Sequence, residues 1–247
     1  MFLPMRRLLL TACLLVPLVS QAAPPVSEIV KGVLARDEAE QKELETYAYH
    51  QKVRTEKLNP DGTVRDANEI AMEVRPGDDF SIVADGKGNV LAPTQVTDGQ
   101  RKQAKDSEKL KASFSLRRLA GRFDIVLAGE EAVDGKEAWV LAFTPRPGQP
   151  YNNRIEKILN NLAGKMWVAQ DDGSILRTEA KLARPVDMAW FFATMTSLDY
   201  SYRAGLSPDG APPRLRPAEF DVAFDIDVMT RRIRQRQAIS MSDYRLP

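Results

Sequence analysis

His50 is the only histidine and Cys13 the only cysteine among 247 residues. A single imidazole cannot complete a His-based metal site or a Ser-His-Asp triad, so His50 reads as a plain strand residue between Tyr49 and Gln51. Three pairs of carboxylates sit side by side: Asp78-Asp79, Glu130-Glu131 and Asp171-Asp172. Neighbours on a strand point to opposite faces, so such pairs make no acid/base couple. Asp171-Asp172-Gly173 is turn chemistry. No G-x-S-x-G, P-loop or dinucleotide fingerprint occurs. No catalytic residue, metal site or cofactor is expected, and the chain reads as a non-enzyme.

The apolar side chains carry more information. Trp139, Met166, Trp167, Met188, Trp190, Phe191, Phe192 and Met195 fall within residues 138–195. Met and aromatic groups adapt to varied apolar ligands, so these eight are the candidate lining or lid of a cavity for an acyl chain. The competing reading is that they fill an ordinary core, where such residues usually lie. DMAWFFATM (187–195) is the candidate lid or rim.

Short elements must position these residues. Val26, Ile29, Val30, Val33 and Leu34 recur at helical spacing, predicting a helix over 26–47 with a charged, solvent-facing second half. From Tyr47 the period changes to two. Strands over 47–58 and 63–76 flank the turn Asn59-Pro60-Asp61-Gly62, and strands over 80–85 and 89–93 flank Gly86-Lys87-Gly88. A helix is predicted over 98–119, with Leu110, Phe114, Leu116 and Leu119 inward, followed by a hairpin over 122–145 around Asp134-Gly135. A short helix within 147–165 precedes strands over 166–170, 174–186 and 198–204. In the last hairpin, Phe220, Val222, Phe224, Ile226 and Val228 alternate with polar residues. A turn at Met229-Thr230 sets Asp225 against Arg234 and Asp227 against Arg232, ion pairs that fix register on a solvated face. About ten strands and three helical pieces predict an α+β, mainly β fold. Its consecutive hairpins favour one antiparallel sheet wrapped around its helices.

Residues 1–22 read as a secretory signal peptide, with Arg6 and Arg7 before the apolar run 8–19 and Ser20-Gln21-Ala22 at the cleavage site. The run is shorter than the ~20 residues of a membrane span, and no later stretch spans a bilayer. Leu10-Thr11-Ala12-Cys13 looks like a lipobox, but most of the apolar run follows the cysteine, so Cys13 is expected to leave with the signal. The mature chain, 23–247, then lacks cysteine and must rest on one hydrophobic core without disulfides. Loss of Arg6 and Arg7 takes 35 basic residues to 33, against 34 acidic, a net charge of −1. Such a balance gives no electrostatic case for nucleic acid. The expected location is the periplasm.

WVLAFTPRPG (139–148), the short helix in NRIEKILNNLAGKMWV (153–168), DDGSILRTEAKLARPV (171–186) and ISMSDYR (239–245) together resemble the outer-membrane lipoprotein-sorting protein family, in a branch outside the dedicated carrier. The resemblance covers roughly 120–245. It implies a LolA/LolB-like fold, a single unclosed antiparallel β half-barrel over 23–247 with helices plugging its concave face. It also implies a periplasmic carrier of a hydrophobic ligand, a lipid or lipoprotein acyl chain. The alternative is an envelope protein-interaction or sensor module whose cavity is filled by its own side chains.

Overall fold

The computed structural model describes residues 23–246 apart from 78, 85–90, 93–94, 100, 103–115, 190–191 and 208–213. Residues 1–22 with Cys13, the turn predicted at Gly86-Lys87-Gly88, Leu110, Phe114, Trp190 and Phe191 lie outside the described residues.

Helix α1 (Val26–Leu44) opens behind Pro25, whose carbonyl accepts from the Glu28 and Ile29 amides. Then come β1 (Ala48–Leu58), β2 (Val64–Arg75) and β3 (Asp79–Ala84), the short α2 (Leu116–Ala120), β4 (Phe123–Val133) and β5 (Lys136–Pro145). Helix α3 (Arg154–Leu159) leads into β6 (Leu162–Ala169), β7 (Ile175–Leu182), β8 (Val186–Ala189), β9 (Ala193–Ser207), β10 (Arg214–Val228) and β11 (Arg231–Arg245). Asp134 and Gly135 take φ values of 49° and 82°, the left-handed pair a two-residue hairpin turn needs between β4 and β5.

One antiparallel sheet takes the order β3-β2-β1-β11-β10-β9-β7-β6-β5-β4, with β8 paired to β9. β3 and β4 end this path without joining each other, so the sheet is an unclosed half-barrel. The fold class is α+β and mainly β, as expected. Pairing of β1 with β11 brings the first and last strands together. Helix α1 lies on the concave face, where Ile29 and Val33 pack on Leu141 and Val168. A second concave cluster, Val53, Ile70, Met72, Ile82 and Ile239, is covered by Leu91 and Val96. Arg216, 1% exposed, ties the far end of α1 to β10. Its two terminal nitrogens reach the two Glu43 oxygens at 3.1 and 3.2 Å, and its guanidinium lies 4.6 Å from the Tyr47 ring centroid.

Several boundaries differ from expectation. α3 is six residues long, because the Asn153 side chain caps the Glu156 amide at 2.9 Å and the chain leaves the helix at Asn160 to enter β6. Val186–Ala189 forms a short strand paired with the start of β9, where its backbone hydrogen bonds are satisfied in the sheet. β9 and β10 are 15 residues each, longer than the predicted strands. Leu91 donates to the Val83 carbonyl, but Leu91 and Ala92 form no return strand. Of the helix predicted over 98–119, residues 98–99, 101–102 and 116–119 are helical and the remainder lies outside the described residues. The last hairpin has the predicted register, Asp225 opposite Arg234 and Asp227 opposite Arg232.

Candidate functional site

Register places a single row of side chains across the sheet. Leu127, Leu141, Met166, Thr178, Tyr202, Phe220, Ile239, Val53 and Ile70 are successive cross-strand partners from β4 to β2. Partners in such a row stand about 4.5–5.5 Å apart and share one face. Apolar residues occupy every position except Thr178 and Tyr202, on β7 and β9.

Above this row a cavity of about 460 Å³ separates the sheet from α1 and α2. The volume lies within the roughly 300–1,000 Å³ usual for small-ligand sites. Ile125, Leu141, Phe143, Met166 and Ile175 supply the apolar floor, and Leu159 of α3 enters from one end. Helix α1 supplies the roof through Val30, Val33, Leu34, Asp37, Glu40, Gln41 and Leu44. Their spacing of three and four continues one stripe along the helix. The second half of α1, expected to be charged and solvent-facing, also sends Asp37, Glu40, Gln41 and Leu44 to the cavity, so its stripe turns from apolar to polar along the helix.

The polar end has unusual electrostatics. Burial pushes the Glu40 carboxyl up to about 7, against the pull of Arg36 and Arg216 and with help from Asp37 and Glu43. Burial likewise raises Asp37, which accepts from Gln41 Nε2 at 2.9 Å. Burial also lifts the Tyr202 phenol well above its ordinary value, with the Glu40 charge adding to it, and burial raises Tyr200. Tyr244, also on the wall, donates its hydroxyl to the Pro217 carbonyl at 2.5 Å.

The eight residues singled out in the sequence part company. Met166 lines the cavity. Trp139 packs in the cluster under α1. Trp167, beside Met166, points to the opposite face, where it sits with Ala138, Val140, Ala169 and Leu176. There its indole Nε1 donates to Glu131 at 2.8 Å and Arg177 stacks 4.7 Å from its ring. Met195 is buried and Met188 partly buried against Leu159, Leu162 and Leu198. Phe192 is 46% exposed. Tyr200, Tyr202, Thr178, Glu40 and Asp37 were not singled out. The signals were the Leu198, Tyr200, Tyr202, Ala204 alternation and the stripe through Leu34, Asp37, Gln41 and Leu44.

His50, exposed on β1, has its Nδ1 3.0 Å from Asp243 Oδ2. Among the described residues no group of three or more His, Cys, Asp or Glu could hold a metal ion, and no helix is long and apolar enough to cross a membrane.

No family model matches the sequence, and no curated protein matches it. Among solved structures the chain is similar to a LolA superfamily protein from Nitrosomonas europaea, at 14% identity and a TM-score of 0.36, over 91% of this chain and 94% of the other. It is also similar to an outer membrane lipoprotein-sorting protein domain from Vibrio parahaemolyticus, at 11% identity and a TM-score of 0.37, over 88% and 90%. A third likeness is to the MucA/MucB complex of Pseudomonas aeruginosa, at 12% identity and a TM-score of 0.26, over 87% and 93%. The first two belong to the group that residues 120–245 resemble.

Proposed function

We propose that the chain is an exported, periplasmic binding or carrier protein that holds an apolar ligand, a lipid or lipoprotein acyl chain, between α1 and the sheet. Residues 1–22 direct export, and 23–247 form the binding domain. The observation that carries this reading is the 460 Å³ cavity with a largely apolar floor. An interaction module with a self-filled interior would have collapsed onto that space, because an unfilled apolar void costs stability through lost contacts. The alternative therefore has less support. Met166 belongs to the proposed site on its position. For Trp139, Trp167 and Met195, core packing is the better supported role. An exposed Phe192 suits a rim.

The test is native mass spectrometry and lipid extraction of protein purified from periplasm, together with uptake of the uncharged reporter N-phenyl-1-naphthylamine. Bound lipid or saturable uptake is expected. Ala120→Trp, which pushes a large side chain from α2 into the cavity, should reduce uptake at least tenfold. Protein free of lipid that takes up no fluorescent probe would overturn the proposal.

A further inference from the structure

Three polar side chains line the cavity without a hydrogen bond among the described residues: the Glu40 carboxyl, the Tyr202 hydroxyl and the Thr178 hydroxyl. Thr178 is buried and Glu40 and Tyr202 are half-buried beside it, so a guest with a polar end would supply the partners that buried polar groups nearly always have. They belong together. Thr178 and Tyr202 are cross-strand partners, and the Glu40 charge acts on the Tyr202 phenol. The Tyr202 ring itself is held by Phe220, at a centroid distance of 5.0 Å.

We infer that the cavity takes an amphiphile whose polar end donates hydrogen bonds and carries no negative charge, an alkyl ammonium or an alkyl alcohol, seated against Glu40, Tyr202 and Thr178. The inference rests on the reading of the cavity as a binding site and adds the chemistry of the ligand's head. The tail lies over Leu141, Met166 and Ile175, toward the apolar half of α1. A carboxylate or phosphate head fits poorly, because it would meet Glu40 and Asp37. The positive groups nearby are committed elsewhere: Arg216 holds Glu43 in a two-point pair, and Arg36 donates to Ser174 Oγ at 3.1 Å. The charged and titratable groups around Glu40 are thus Arg36, Asp37 and Glu43 on its own helix, Arg216 from β10 and Tyr202 from β9. Above pH 7 Glu40 is ionised and accepts from an ammonium or hydroxyl head. Protonated, it can still accept from a hydroxyl and donate in turn.

Displacement of N-phenyl-1-naphthylamine from the whole mature chain at pH 8 tests this with three probes of equal tail: dodecylammonium, dodecanol and dodecanoate. Dodecylammonium should compete at least tenfold better than dodecanoate, with dodecanol between them. Glu40→Gln should shrink the ammonium-to-carboxylate ratio to within threefold. Tyr202→Phe should weaken dodecanol severalfold relative to dodecylammonium. Equal competition by all three probes, or a ratio that survives Glu40→Gln, would overturn the head-group inference while the apolar site stands. Failure of the reporter and all three probes to bind would instead remove the binding site itself.

Discussion

Replacing Glu40 by Gln is expected to stabilise the folded chain at pH 8 and to leave it unchanged near pH 4. The carboxyl moves from 4.5 to about 7 on folding, mainly through burial. Each pKa unit corresponds to about 1.36 kcal/mol, so the ionised form costs about 3 kcal/mol if burial acted undiluted, and on the order of 1–2 kcal/mol once solvent reaching the carboxyl across the cavity is allowed for. The direction follows from proton counts. Between pH 4.5 and 7 the unfolded chain has released this proton and the folded chain retains it, so stability falls as pH rises through that window. Below 4.5 both states are protonated and above 7 both are ionised, so the contribution is flat outside it. Gln keeps the shape and a polar amide without the charge. Urea unfolding followed by Trp fluorescence, at half-unit steps from pH 4 to 8, gives the difference between the two proteins from midpoints and slopes. The gap should open between pH 4.5 and 7 and reach about 1–2 kcal/mol at pH 8. A gap that stays constant across the range would mean that Glu40 titrates as an exposed carboxyl, and the polar end of the cavity would lose its basis.

Arg216→Met should cost about 2–3 kcal/mol, less than the roughly 3–5 for a fully buried pair, because Glu43 keeps Arg214 and some solvent; hydrogen exchange should quicken in the second half of α1. Gly164→Ala should be among the most damaging small changes in the chain. Its Cβ would stand 2.0 Å from the Glu179 carbonyl oxygen and 2.8 Å from Ala180 Cα, so β6 and β7 must part, and a melting temperature within error of the parent would contradict the close approach. Met195→Ala should cost about 2–5 kcal/mol and Phe192→Ala under about 0.5 kcal/mol in the same unfolding assay, since one is 4% and the other 46% exposed. Equal losses would erase the distinction between core and rim within that segment.

What could be read from the sequence was local. The β10–β11 hairpin followed from alternation and a two-residue turn, and its register came out residue for residue because hairpin pairing is fixed by the turn. The apolar first half of α1 followed from its periodicity. The transverse row did not, because it depends on β1 pairing with β11 and on β9 pairing with β7 past the short β8, contacts between segments far apart in the chain. Nothing in LDYSYRA says that Tyr202 will stand beside Thr178. The Trp, Phe and Met density over 138–195 is divided between two faces of the sheet for a mechanical reason. Consecutive strand residues face opposite ways, so Met166 reaches the cavity while Trp167 is spent on the other face. A cluster in sequence on a strand is two half-clusters in space.

The same reasoning explains why the cavity persists. Its floor is set by a sheet whose spacing and register leave no freedom to move inward. Its roof is a helix fastened at both ends, by Ile29 and Val33 packed on Leu141 and Val168 and by Glu43 held between Arg214 and Arg216. A roof pinned at two points over a rigid floor cannot settle onto it without breaking one attachment. Filling the gap from within would need larger side chains at Ala120, Thr178 or Ala180, where the chain carries small ones. Three small residues at one gap, beneath a helix stripe that turns from Val30 and Leu34 to Asp37 and Glu40, describe a space with an apolar end and a polar end. An amphiphile lying along α1 satisfies both ends at once, whereas water satisfies only the second.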